Sequence, residues 1–143
     1  NTCMIHLDVA AALIVNDQGQ VLCVKRGASK FASTAFRWEF PGGKPKARES
    51  LETCLIRRVK EELSLDIQIV DYLPSYEVEM TPEKTFVMHP FIAEIIGGNT
   101  TLIDHNKAEW FEIRQLISIA WPPTDTPIID MISKRYIKTG KLY

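Results

Sequence analysis

The run from Gly43 to Leu65, GKPKARESLETCLIRRVKEELSL, constrains this chain more than any other stretch. Leu51, Leu55, Val59 and Leu63 recur every four residues with Ile56 beside them, which predicts one apolar helix face. Ser50 stands where an N-cap belongs, because its hydroxyl can accept from an amide of the first turn. On the polar side Arg57, Arg58 and Lys60 run into Glu61 and Glu62. A solvated face laced with i,i+3 and i,i+4 ion pairs would account for that pattern alone. The flanking residues decide whether it says more.

Upstream, LDVAAALIVN reads as a buried strand, DQGQ as a turn and VLCVKR as a second strand, so the chain is expected to open with a hairpin. GASKFASTAF reads as a loop, and RWEF as a brief strand stopped by the breaker PGG. DIQIVDYLPSYEVEM and TFVMHPFIAEII are strand-like runs joined by a hairpin turn at TPEK. EWFEI is one more strand. TDTPIIDMISKRYI is a C-terminal helix with Pro127 near its first position. Strands mixed with one central and one terminal helix predict a single α/β or α+β domain over residues 1–143.

Charge and cysteine usage exclude several classes. A net charge of −1 gives no overall basic field for duplex nucleic acid or an anionic membrane. Cys3, Cys23 and Cys54 are scattered without a CxxC pair, so free thiols in a reducing compartment are expected rather than a zinc site. The opening NTCMIHLDVAAALIV lacks the basic region of a signal peptide. No stretch approaches the roughly 20 apolar residues of a membrane span. The expectation is a cytoplasmic protein, monomeric or homodimeric.

Gly43, Glu49 after five intervening residues, then Arg57, Val59, Glu61, Glu62 and Leu65 match seven of the nine fixed positions of the Nudix box, which the chain therefore resembles. WEFPGGK before the box and WPPTDTPII near the end extend the likeness over nearly the whole chain. They point to the MutT-like branch and its bacterial CTP pyrophosphohydrolases. The resemblance implies an α/β/α sandwich with a central mixed sheet. It also implies magnesium-dependent hydrolysis of a nucleoside triphosphate to the monophosphate and pyrophosphate, with manganese as a substitute metal.

By the same resemblance Gly43, Glu61, Glu62 and Asp104 are the expected metal ligands, Asp104 lying six residues before Trp110. Glu49, Arg57 and Lys44 join Glu61 and Glu62 as the expected catalytic set. Arg26 and Lys44 are expected on phosphate and Asp125 on a base edge, while Trp38 and Phe40, two apart on one strand face, could stack on the nucleobase although core packing is the commoner fate of such a pair. Magnesium suits this set, since it takes oxygen ligands and keeps part of its water shell. Two positions depart from the family pattern: Arg58 stands where it has Glu, and Ser64 where it has Gly. A guanidinium stays protonated and offers no lone pair, so Arg58 can be neither ligand nor base. It would pair with Glu61 and Glu62, or hold a fixed cation where a metal would sit.

Blander roles stand beside these. Glu49 also suits a helix N-terminus electrostatically, Arg57 suits ion pairing within the box, and Trp38 and Phe40 suit core packing. Asp125 could cap the last helix, although Thr126 before Pro127 is better placed. A carboxylate free of that duty can accept from cytosine N4. That suits the substrate the resemblance implies, cytidine or a modified pyrimidine nucleotide, with oxidised guanine nucleotides (8-oxo-dGTP) second. A nucleotide-binding module with little or no hydrolysis is the alternative that Arg58 raises.

Overall fold

The computed structural model describes residues 4–25, 37–99 and 107–142. It contains β1 (Ile5–Ile14), β2 (Val21–Lys25), β3 (Trp38–Glu39), β4 (Gly42–Gly43), α1 (Leu51–Leu63), β5 (Leu65–Tyr72), β6 (Tyr76–Thr81), β7 (Lys84–Gly98), β8 (Lys107–Phe111), α2 (Ile113–Ile117) and α3 (Thr126–Thr139). The larger sheet runs β4-β1-β7-β5, with β6 also on β7. It is mixed: β1 lies parallel to β7, while β4, β5 and β6 are antiparallel to their neighbours. A smaller antiparallel sheet runs β3-β2-β8.

Period-two alternation along β1 divides the interior. Ala10, Ala12 and Ile14 join Leu22, Val24, Cys54, Leu55, Val59 and Leu63 in a core that packs α1 against both sheets. Ala11 and Leu13 point the other way, into a second core with Phe40, Ile92, Trp121, Ile128 and Ile132 beneath α3. The arrangement is an α+β fold with helices on both sides of a mixed sheet, as expected.

The opening strands do not form the expected hairpin. Asn16 shapes the turn, its Oδ1 accepting from the amides of Gln18 and Gln20 at 3.0 and 2.9 Å. Only the Val15–Val21 bridge then joins the two strands. The edges of β1 are already filled by β4 and β7, so β2 pairs in the smaller sheet. The PGG breaker is itself a strand in part: Gly42 and Gly43 pair with Ala11 and Ala10. DIQIVDYLPSYEVEM splits into β5 and β6, both antiparallel to β7, and the turn at TPEK closes with Thr81 opposite Lys84. The short helix α2 was not anticipated.

Helix α1 follows its sequence signals closely. The Ser50 hydroxyl accepts from the Thr53 amide at 3.1 Å. Ser64 ends the helix in the left-handed region at φ 58°, and its amide donates to Lys60 O at 3.0 Å. A non-glycine residue there costs on the order of 1 kcal/mol, which this C-cap bond helps to offset. Helix α3 departs from expectation at its start. Its N-cap position is Asp125, whose side chain makes no capping bond, and the Thr126 hydroxyl donates instead to Pro122 O at 3.3 Å.

Candidate functional site

Two side chains organise the box. Arg57 clips the helix to the loop that precedes it. Its Nε and Nη2 donate to Oε2 and Oε1 of Glu49 at 2.7 and 2.8 Å, and its Nη1 donates to Glu61 Oε1 at 2.6 Å. Glu49 also accepts from the Lys46 amide at 2.9 Å. The Arg57 fork, helped by that amide, holds the Glu49 carboxyl down at about 2, and Glu49 in turn raises the pKa of Arg57. This two-pronged geometry is open to arginine but not to lysine.

Arg58 takes the inner side. Its Nη2 donates to Glu62 Oε1 at 2.7 Å, and Glu62 is only 2% exposed. Its Nε lies 3.4 Å from the Gly42 carbonyl oxygen, and its Nη1 is 3.8 Å from Glu61 Oε1. The glycines make room for this arrangement. A Cβ on Gly43 would sit 2.7 Å from Arg58 Nε, whereas a Cβ on Gly42, at φ +150°, would sit 2.0 Å from the Ala10 carbonyl oxygen. Backbone of β1 thus leaves no room for a side chain at Gly42, and at Gly43 a Cβ would crowd the Arg58 stem.

Glu61 and Glu62 make their shortest contacts with different guanidinium groups. Glu61 is half exposed and held by Arg57, while Glu62 is buried and held by Arg58. Among the described residues no three His, Cys, Asp or Glu side chains gather closely enough to hold a metal ion. Both Glu49 oxygens and one oxygen each of Glu61 and Glu62 are engaged by guanidinium groups. As they stand, these residues do not fit a helix-bound divalent cation, because a group without a lone pair stands among the oxygens it would need. Arg26 and Asp104 lie outside the described residues. Lys44 is exposed, its Nζ 4.9 Å from the centre of the Phe86 ring.

The other end of the site is built around Asp125. Its amide donates to Pro122 O at 2.9 Å, closing the turn before α3, and its carboxyl accepts from the Phe40 amide. Asp125 is 6% exposed. Burial first, and the charge of Glu39 second, push its carboxyl up to about 8 against that hydrogen bond. Tyr76 donates its hydroxyl to Thr124 O at 2.5 Å, and burial together with Asp125 raises the pKa of both Tyr76 and Cys23. Phe40 accepts Trp121 as a parallel ring at 4.9 Å and 11°, so one of its faces is covered by core. Trp38 meets Phe111 edge-on at 4.8 Å, with Lys25 Nζ 5.6 Å from its ring centre.

A single short segment ties the two ends together. The Phe40 amide meets Asp125, and the Gly42 carbonyl meets Arg58. With three residues enclosed between them, these groups are at most about 11 Å from each other along an extended backbone.

The electrostatic influence of Glu39 on Asp125, and of Asp125 on Tyr76, was not anticipated. A second arrangement was missed altogether: His89 Nδ1 lies 2.7 Å from Ser75 Oγ and its Nε2 lies 2.9 Å from Asp8 Oδ1. His89 is 14 residues from Ser75 and 81 from Asp8, so no local pattern announces the set.

The NUDIX domain profile matches residues 4–132. The chain is 27% identical to the CTP pyrophosphohydrolase of Escherichia coli (strain K12), over 87% of this chain and 89% of that one. It is 25% identical to the 8-oxo-dGTP diphosphatase of the same organism, over 92% and 99%. The solution structure of the E. coli ORF135 protein superimposes with a TM-score of 0.78 at 25% identity, covering 96% of each chain.

Proposed function

The chain belongs to the NUDIX family, hydrolases of phosphoanhydride bonds, and we propose that its substrate is a nucleoside triphosphate split by water into the monophosphate and pyrophosphate. Cytidine or a modified pyrimidine comes first among the bases. Hydrolases of this family generally use a divalent metal ion, usually magnesium, with manganese as the substitute to be tried. That ion would supply charge neutralisation and water activation. The residues of this chain bind and orient the nucleotide. Arg58, Lys44 and Arg26 answer the phosphates, and the Arg57–Glu49–Glu61 clip keeps helix and loop in register. Residues 1–143 are taken as one domain acting in the cytoplasm on a free nucleotide, as monomer or homodimer. No described helix is long and apolar enough to cross a membrane.

The observation that carries the base preference is the buried Asp125 carboxyl, which does not cap its own helix. With its pKa pushed up to about 8, it is mostly protonated at neutral pH. A neutral carboxyl can donate its O–H to cytosine N3 and accept from N4–H at the same time. The anion accepts only, which suits the paired N–H donors of a guanine edge. Oxidised guanine nucleotides are therefore the second substrate class, favoured at higher pH.

The Arg58–Glu62 ion pair favours a second reading, a module that binds nucleotides and turns them over slowly. Pyrophosphate release across CTP, UTP, ATP, GTP and 8-oxo-dGTP, with and without magnesium, separates the two. CTP should lead with pyrophosphate as product. Release of orthophosphate, or equal rates on all bases, would overturn the proposal.

A further inference from the structure

We propose that the Arg58 guanidinium is the resident cation of this box, so that the chain binds the polyphosphate of a nucleotide at helix α1 without a metal ion there. The inference rests on the nucleotide reading for its ligand, and on the geometry of Arg58 for its substance.

The guanidinium stands among oxygen atoms from three sources. Glu62 Oε1 accepts at 2.7 Å, the Gly42 carbonyl oxygen lies 3.4 Å from Nε, and Glu61 Oε1 lies 3.8 Å from Nη1. A loop carbonyl and two carboxylates from one helix turn are ligands of the kind a hard cation takes. Here a side-chain cation has them. Glu62 is 2% exposed, and a carboxylate so buried depends on the positive charge beside it. A divalent ion entering this spot would have to push the guanidinium out and then remain close to it.

The charges also balance. The resemblance places a glutamate at this position in the family. Exchanging a carboxylate for a guanidinium changes the local charge by two units, the same change that one magnesium ion makes. The surrounding carboxylates do not call for a second cation, because Glu49 and Glu61 are held by Arg57.

Arg58 is built into the loop, unlike a loose surface side chain. A Cβ on Gly43 would come within 2.7 Å of its Nε and 3.2 Å of both Cδ and Cγ. A side chain at residue 43 would have to displace the arginine stem. The side chain nevertheless keeps 31% of its surface exposed. Of the five N–H donors of a guanidinium, one on Nη2 meets Glu62 and Nε–H meets Gly42. Both N–H groups of Nη1 stay beyond hydrogen-bond distance of Glu61. Phosphate oxygens accept from such a guanidinium edge in pairs.

Calorimetric titration tests this with two probes, inorganic tripolyphosphate and the non-hydrolysable α,β-methylene analogue of CTP, each in EDTA and in magnesium. The native chain should bind tripolyphosphate in EDTA with a Kd within about threefold of its value in magnesium. Arg58→Glu should lose at least about tenfold in EDTA and recover in magnesium, and Arg58→Lys should fall between them. Paramagnetic resonance of Mn²⁺ without nucleotide should show no uptake by the native chain and uptake by Arg58→Glu. The native measurements need no variant to fold. Tripolyphosphate binding that requires magnesium in the native chain, or Mn²⁺ uptake equal in native and Arg58→Glu proteins, overturns the proposal. If tripolyphosphate binds in EDTA while the CTP analogue binds no better, the resident cation stands and the cytidine reading fails.

Discussion

Arg58 and Gly43 share one space: a Cβ on residue 43 would lie 2.7 Å from the Arg58 Nε. At Gly43 the crowding would come from a side chain. Gly43→Ala should move the guanidinium off Glu62 and destabilise the fold by roughly 1–3 kcal/mol, the usual cost of overpacking. In Arg58→Ala the same glycine substitution should cost almost nothing. A double-mutant cycle by urea denaturation reads that coupling directly, and additive effects would show that the contact carries no energy. Gly42→Ala is the contrast, because the obstacle there is the Ala10 carbonyl at 2.0 Å and no side-chain deletion relieves it.

Turnover should respond to Arg58 as well. Arg58→Glu places a carboxylate three and four residues from Glu61 and Glu62 on one helix face, and it should raise magnesium-dependent pyrophosphate release at least about tenfold, within the range that a positioned base contributes. Arg58→Ala should help less, since it removes a cation without adding an oxygen. A lower rate in Arg58→Glu would mean that the guanidinium itself assists the transfer.

Glu49 sets an acid limit on the box. Its carboxyl is held at about 2 in the folded chain against 4.5 as the reference value. The depressed pKa contributes stability that is fully present above about 4.5 and is lost as pH falls toward 2. Urea midpoints of the native chain and Glu49→Gln should differ most near pH 6 and draw together below pH 3. Arg57→Lys should forfeit most of the same difference, because one ammonium cannot span both carboxylate oxygens.

Asp125 works with the opposite sign. Its carboxyl is raised from 3.8 to about 8, so the folded chain keeps a proton that the unfolded chain releases. Its contribution to stability is greatest below 3.8, falls as pH rises, and is gone above about 8. Asp125→Asn removes this slope and should be the more stable protein at pH 8.5. The native preference for cytosine should fade over the same range, while in Asp125→Asn it should not change with pH. A native base preference that stays flat from pH 6 to 9 would take Asp125 out of base selection.

Much of the site was legible because its signals are local. The stripe from Leu51 to Leu63, the cap at Ser50 and the left-handed end at Ser64 follow from neighbours within one or two helix turns, and the box spacing holds its own frame. Arg57 reaching Glu61 is an i,i+4 pair visible in any helical projection. Residues that matter through distant partners gave no such notice. Tyr76 and Thr124 are 48 positions apart, and His89 is 81 from Asp8.

The sequence by itself determined the box helix, its caps, the glycine pair ahead of it and the unusual arginine within it, because helical periodicity and spacing are short-range properties of the chain. Only the tertiary structure decided what those residues do to one another. β1 and β2 part into separate sheets because both edges of β1 were claimed by strands from further along the chain. Glu61 stays in water while Glu62 goes under Arg58 and the loop. Asp125 holds its proton because burial and Glu39 raise the cost of its charge. Dielectric surroundings and strand-edge competition depend on the whole chain at once, and no window of sequence contains them.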